Sequence, residues 1–460
     1  DARALLMTDL GSGPALDRLL LQWQDGGACP AGDGPTLAEA CGLLGQLGMA
    51  VARIHSGSWR VLGGGRECVL PLPAGPLGPL GPPVTAIAGS SFAPDGKSER
   101  PVEPATTATD ASAKSAAAAA MAAASAAGSH GVSESDAACL RAELRNADVQ
   151  ALRRVLQYGT VAARLEERAW SSDGDKATAA AIAESMRALG RRFEESEGQC
   201  LIMGDLWPAS LLVVPAGMPL PSPPRPRTRP TSTNGDTAPG PPPQPPGSPC
   251  DSPPTPAEPR LGLIDWEFCH WGEVAQDVGH LTAHLLLWAH RGLRARLAAD
   301  CSHRAPPPQG SPKPATGELP SGEPARERVS LDRLPEEPAF ACVVAFAEAW
   351  GTELRRQRVA GRRGGESGAC VLFGRDELGA ALQHAAAEVL ARCIGAFVRG
   401  GPYEGEPADG AAVAEAIAIA GALWACSQPR SGGAVVVGAR LGGVGLPVGV
   451  VTRVVDALTG

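Results

Sequence analysis

Apolar residues recurring every three or four positions predict most of the ordered chain as helix. Leu37, Cys41, Leu44, Leu47, Val51 and Ile54 mark one amphipathic helix, opened by a Thr36/Glu39 capping box and ending near His55 and Gly57. His55 is read as a structural helix-end residue. Leu140, Leu144, Val149, Leu152, Val155 and Leu156 predict a long helix from about Asp136, and a second runs from about Lys176 to Glu194. Beyond Glu273, Val278, Leu281, Leu285, Leu286 and Trp288 predict a helix to about Ala299, with further helices at about 338–358, 375–398 and 408–427. Two short apolar runs read as strands: Cys200 to Met203 leads into Gly204 and Asp205, and Leu261 to Ile264 leads into Asp265. A strand ending in Asp holds a carboxylate at a cleft. ALLMTDLG at 4–11 reads as a further strand.

Between these elements the composition collapses. The 460 residues include 57 Gly and 44 Pro, so only about 250 are expected to pack into a core. The expected organisation is 1–60, a first strand and helix; 61–135, a low-complexity insertion with an alanine run at Ala116 to Ala120; and 136–214, two helices and the first Asp motif. Then follow a Pro-rich insertion at 215–260, the second motif and its helix at 261–300, a Pro-rich linker at 301–337, helices at 338–428, and a Gly/Val-rich tail at 429–460. The insertion at 215–260 is polyproline-like; it is of the kind SH3 or WW domains bind, although an inert spacer is the simpler reading. Lengthening a surface loop costs only about 0.6 kcal/mol per doubling, so the insertion need not disturb the strands it separates.

Charge and cysteine content narrow the function classes. A net charge of −8, with no basic cluster interleaved with aromatics, disfavours nucleic acid. No apolar run reaches about 18 residues free of polar breaks, so no membrane span is expected. The 12 Cys form no C-x-x-C pair, which argues against a zinc ribbon or a thioredoxin-like site and makes a reduced, cytoplasmic compartment the default. His280 and His284 have the i, i+4 spacing of a zinc site, but with no Glu at the metalloprotease position between them and no obvious third ligand they read as packing or capping residues. The segment VVVGARLGGVGLPVG at 435–449 lacks the lysine of a phosphate loop and reads as a glycine-rich tail.

The motifs Met203-Gly204-Asp205 with Ser210, and Asp265-Trp266-Glu267 followed by Gln276-Asp277-Val278-Gly279, resemble those of the aminoglycoside phosphotransferase and choline kinase group of small-molecule kinases, including its methylthioribose kinase branch. The resemblance covers roughly half the chain. It implies an α+β, protein-kinase-like fold, mainly the helical C-lobe with a short catalytic β-hairpin. It implies Asp205 as catalytic base, Asp265 as principal Mg²⁺ ligand, Glu267 as a second ligand, Ser210 where Asn often binds metal, and ATP as co-substrate for phosphorylating a small-molecule hydroxyl. Asp277 is expected to brace the catalytic loop by hydrogen bonding. Two departures stand out: Met203 replaces the motif's usual His, and Ser210 its usual Asn. If 4–11 is the hinge strand of such kinases, the nucleotide-binding lobe precedes residue 1. None of the four lysines, Lys97, Lys114, Lys176 and Lys313, sits in an apolar strand that could supply the ATP-pairing residue. The chain by itself is then expected to have little or no kinase activity. The alternative is a non-catalytic, pseudokinase-like protein whose proline-rich arms recruit partners.

Overall fold

The structure, a computed structural model, describes residues 15, 16, 18–20, 36–62, 133–214, 260–263, 268–304, 329–362, 373–399, 402–428 and 440–460. The expected strand at 4–11, residues 63–132 of the insertion expected at 61–135, and most of the Pro-rich stretches lie outside them. The described chain is mostly helical with small antiparallel sheets, an α+β arrangement.

Helix α1, Leu37–Leu62, starts at the expected box: Glu39 accepts from the Thr36 backbone at 2.6 Å, and Thr36 Oγ1 accepts from the Glu39 backbone at 3.3 Å. It runs past His55 and Gly57, correcting the predicted stop; an isolated glycine costs a helix only about 1 kcal/mol, and packing overrides it. By length and composition α1 could cross a membrane, contrary to the sequence expectation, but Leu44, Leu47, Val51 and Ala52 are buried in the core.

The long helix expected from Asp136 is broken into pieces. α2, Glu134–Leu144, is capped by Ser133 and ends before Asn146, whose φ of +47° breaks the helix. α3, Ala147–Arg153, passes through a π-helical turn, Arg154–Gly159, into α4, Thr160–Glu167. Leu152 and Val155, taken from the sequence as buried, are exposed, while Gln150, Arg153 and Gln157 face inward. The polar residues turn in because a buried polar cluster waits for them beneath the site. α5, Asp173–Glu195, then leads into β1, Cys200–Ile202.

Two ladders frame the region of the acidic motifs. β1 pairs antiparallel with β4, His270–Gly272, through Ile202↔His270. β2, Leu211–Val214, pairs with β3, Arg260–Leu263, through Leu211↔Leu263 and Val214↔Arg260. Behind them α6, Val274–Arg304, is buried on every side over its first four turns, which is why its sequence shows no clear polar face. It packs between α7, Pro338–Arg362, and α8, Arg375–Cys393; α1 lies against α7 and α9, Ala411–Ser427, against α8.

The stretch expected to be a linker to 337 contains a 3₁₀ helix, Leu331–Glu336, with Leu331 and Leu334 buried. Residues 440–460 of the expected C-terminal tail are likewise structured. β5, Arg440–Leu441, and β6, Val444–Gly445, form a hairpin whose turn glycines, Gly442 and Gly443, have φ of +61° and +74°. Helix α10, Val448–Thr459, buries Val450, Val451, Val454 and Leu458 and packs against α7. Glycine and β-branched valine hide a helical face that tertiary packing supplies.

Candidate active site

Asp277, on the first turn of α6, is the anchor. It is fully buried, its Oδ2 accepting from the Met203 backbone N–H at 2.8 Å and its Oδ1 from that of Gly204 at 2.9 Å. His55 Nε2 stands 3.1 Å from Oδ2, and Trp350 Nε1 donates to His55 Nδ1 at 3.4 Å. Since Nδ1 accepts, the His55 proton sits on Nε2 and is donated to Asp277. Burial opposes charge on Asp277, but His55 and the two N–H groups win and hold its carboxyl below the usual range. The bracing role expected of Asp277 is therefore present in the geometry. His55 serves it from mid-helix, a structural role, not one at a helix end.

Gly204 is held from both sides, because Gln276 Nε2 donates to its carbonyl at 3.0 Å. Its φ is +76°, and a Cβ there would sit 2.3 Å from the Phe268 carbonyl oxygen. No other residue fits. Gly279 plays the matching part in α6, where a Cβ would lie 2.5 Å from the Ala381 carbonyl oxygen of α8. The run Gln276 to Gly279 thus fixes the segment after β1 to the helical core.

Asp205 follows immediately. Arg153 Nη2 donates to its Oδ1 at 2.8 Å, and its Oδ2 has no hydrogen-bond partner among the described residues. The side chain of Asp205 is 20% exposed, that of Arg153 10%. Arg153 also lies over the Phe268 ring, 5.4 Å from its centroid, so one guanidinium joins the two motif-bearing segments. Burial works against its charge, and Asp205 outweighs the penalty. Nothing in the apolar periodicity pointed to Arg153. The signal lay in the spacing of Gln150, Arg153 and Gln157, which puts three polar residues on one helix face.

Ser210 is fully buried at the end of the 3₁₀ turn Pro208–Ser210. Its hydroxyl donates to the Trp207 carbonyl at 2.7 Å and accepts from the Trp207 N–H at 3.2 Å. Its geometry is that of a loop brace. Met203 is buried in the core beside Cys200, Ile202 and Leu206. Asp265 and Glu267 lie outside the described residues, between Leu263 of β3 and Phe268. Among the described residues no group of three or more His, Cys, Asp or Glu side chains could hold a metal.

Beneath the loop lies a buried polar cluster. Glu388 of α8 accepts from Gln157 Nε2 and Arg392 Nε, both at 2.7 Å, and His284 Nε2 is 3.0 Å from it. Burial opposes its ionisation, but Arg392 and His284 keep its carboxyl well below the ordinary range. His280 Nε2 is 3.0 Å from Gln157 Nε2, and burial pushes its pKa down to about 4. His280 and His284 are accordingly packing residues that serve Gln157 and Glu388. Among the described residues, the site can offer one accessible carboxylate, Asp205, on a backbone clamped from below and flanked by a fixed cation. Compared with known protein families and with proteins of established function, the chain matches no family model and no individual sequence.

Proposed function

We propose that this chain carries the catalytic lobe of an ATP-dependent small-molecule kinase of protein-kinase-like fold, which phosphorylates a hydroxyl of a sugar, amino alcohol or similar metabolite. The observation that carries the reading is the pair of ladders with the Asp277 clamp. Ile202↔His270 and Leu211↔Leu263 bracket the Asp205 loop on one side and the segment holding Asp265 and Glu267 on the other, while Asp277 fixes Met203 and Gly204 directly before Asp205.

In this reading Asp205 Oδ2 receives the acceptor's hydroxyl proton as the hydroxyl oxygen attacks the terminal phosphorus of ATP, and ADP leaves. Arg153 fixes the carboxylate's rotamer through Oδ1 and leaves Oδ2 to the acceptor. Asp265 and Glu267 are the residues proposed to hold Mg²⁺, which when bound neutralises charge on the ATP phosphates. Ser210, whose hydroxyl is engaged by Trp207, assists by holding the loop's shape.

A second reading, a non-catalytic lobe that binds partners through its proline-rich arms, is favoured by the Arg153–Asp205 ion pair, which occupies one oxygen of the acid the reaction needs. A thermal-melt titration with Mg²⁺ and ATP separates the two. At about 100 times Kd the ligands add about 2.7 kcal/mol, a rise of several degrees in Tm. The rise is expected in the parent chain, absent in Asp265→Asn and retained in Asp409→Asn. A parent chain with unchanged Tm would sink the catalytic reading.

A further inference from the structure

Trp207 lies two residues beyond Asp205, and Arg392 of α8 is stacked against it. The guanidinium carbon is 5.1 Å from the Trp207 ring centroid and 5.5 Å from that of Phe397, so Arg392 lies against two aromatic rings, its side chain 11% exposed. Its Nε is committed to Glu388 at 2.7 Å. Its two Nη nitrogens have no hydrogen-bond partner among the described residues. His284 packs against the Trp207 ring at 5.7 Å, and it feels both the Arg392 and the Asp205 charge. Arg392 thus touches Trp207 of the same loop that carries Asp205.

We propose that Arg392 recognises an anionic group on the acceptor, so that the substrate is a hydroxyl compound bearing a carboxylate or phosphate. The proposal rests on the kinase reading for the word acceptor and narrows it; the anion site itself does not depend on phosphoryl transfer. A largely buried guanidinium against aromatic rings is weakly hydrated, and with Nε engaged it can offer only its Nη end, the edge that pairs with two oxygens of an anion. An amine has no such counterpart. Asp205 Oδ2 is assigned to the reacting hydroxyl, Glu388 is buried and already engaged by Arg392, and burial together with Arg392 disfavours protonation of His284.

Three probes of one shape test this: glycerate, glycerol and 3-amino-1,2-propanediol, which differ in the charge of a single substituent. Binding is read from tryptophan fluorescence on the full chain, with Trp207→Phe assigning the signal. Glycerate is expected to bind at least about tenfold more tightly than the other two, and Arg392→Lys, which keeps the charge but not the fork, to weaken it about tenfold. Because Arg392→Gln alone would strand Glu388, the paired Glu388→Gln/Arg392→Gln variant, checked for an intact melt, is expected to bind all three probes alike. Equal binding of the amino compound by the parent chain, glycerate binding untouched by Arg392→Lys, or a signal that survives Trp207→Phe would overturn the proposal. Glycerate binding with no Tm gain from Mg²⁺ and ATP would sink the kinase reading and uphold the anion site; a Tm gain lost in Asp265→Asn, without glycerate binding, would do the reverse.

Discussion

Asp277 takes three hydrogen bonds and no solvent, so its worth depends on being a carboxylate and not merely on its shape. In Asp277→Asn one backbone N–H or the His55 N–H must face an amide NH₂. A buried donor left without an acceptor costs about 1–3 kcal/mol, more where the lost acceptor was charged. Urea unfolding is therefore expected to show a loss of about 3 kcal/mol. A loss below about 1 kcal/mol would mean the clamp is not formed as described. At this scale part of the site was legible: the Asp205 motif and the bracing Asp277 both stand in a strand-then-acid and helix-start pattern. Arg153 and Arg392 were not legible, because each acts through a partner far away in sequence, and single-chain spacing carries no record of a contact across 52 or 185 positions.

Among the elements, the π-helical turn at Arg154–Gly159 inverts the expected faces of the segment that contains it. The apolar positions Leu152 and Val155 had the right spacing for a core stripe, yet they are 56% and 61% exposed. A wide turn shifts the register of side chains, and the buried polar cluster around Glu388 draws Gln157 inward. Val155→Ser is accordingly expected to change stability by no more than about 0.5 kcal/mol, while Val161→Ser, fully buried on α4, costs about 2 kcal/mol or more. Denaturant midpoints for the two variants decide it; equal losses would restore the periodic reading. The strongly amphipathic helices, α1 and α5, were legible for the ordinary reason that one face meets water. α10 was missed because its glycine and valine content argues against a helix, and only its docking on α7 overrides that preference.

For the molecule as a whole, the described core holds an unusual number of buried histidines. His270 and His280 are both pushed down to about 4 by burial, and His284, His290 and His384 shift the same way. A histidine whose folded pKa is depressed binds fewer protons folded than unfolded, so stability rises with pH between the two values. The protein is expected to hold its full stability above about pH 6.5 and to lose it progressively as the pH falls towards 4. Each of His270 and His280 would account for about 3 kcal/mol at the acid end. Asp277, with its lowered pKa, adds a further loss only below that range. Chemical denaturation across this window checks the slope. His280→Gln is expected to flatten it, and an unchanged slope would show that His280 stays neutral in neither or both states.

The pairing of Val214 with Arg260 brings the two edges of a long intervening stretch side by side on one ladder. Continuity of the polypeptide at that place is therefore dispensable to the strand pair itself. The seam divides the chain so that Asp205 belongs to one half and Asp277 to the other, and any reassembly of separately made halves would have to rebuild the grip of one upon the loop of its neighbour.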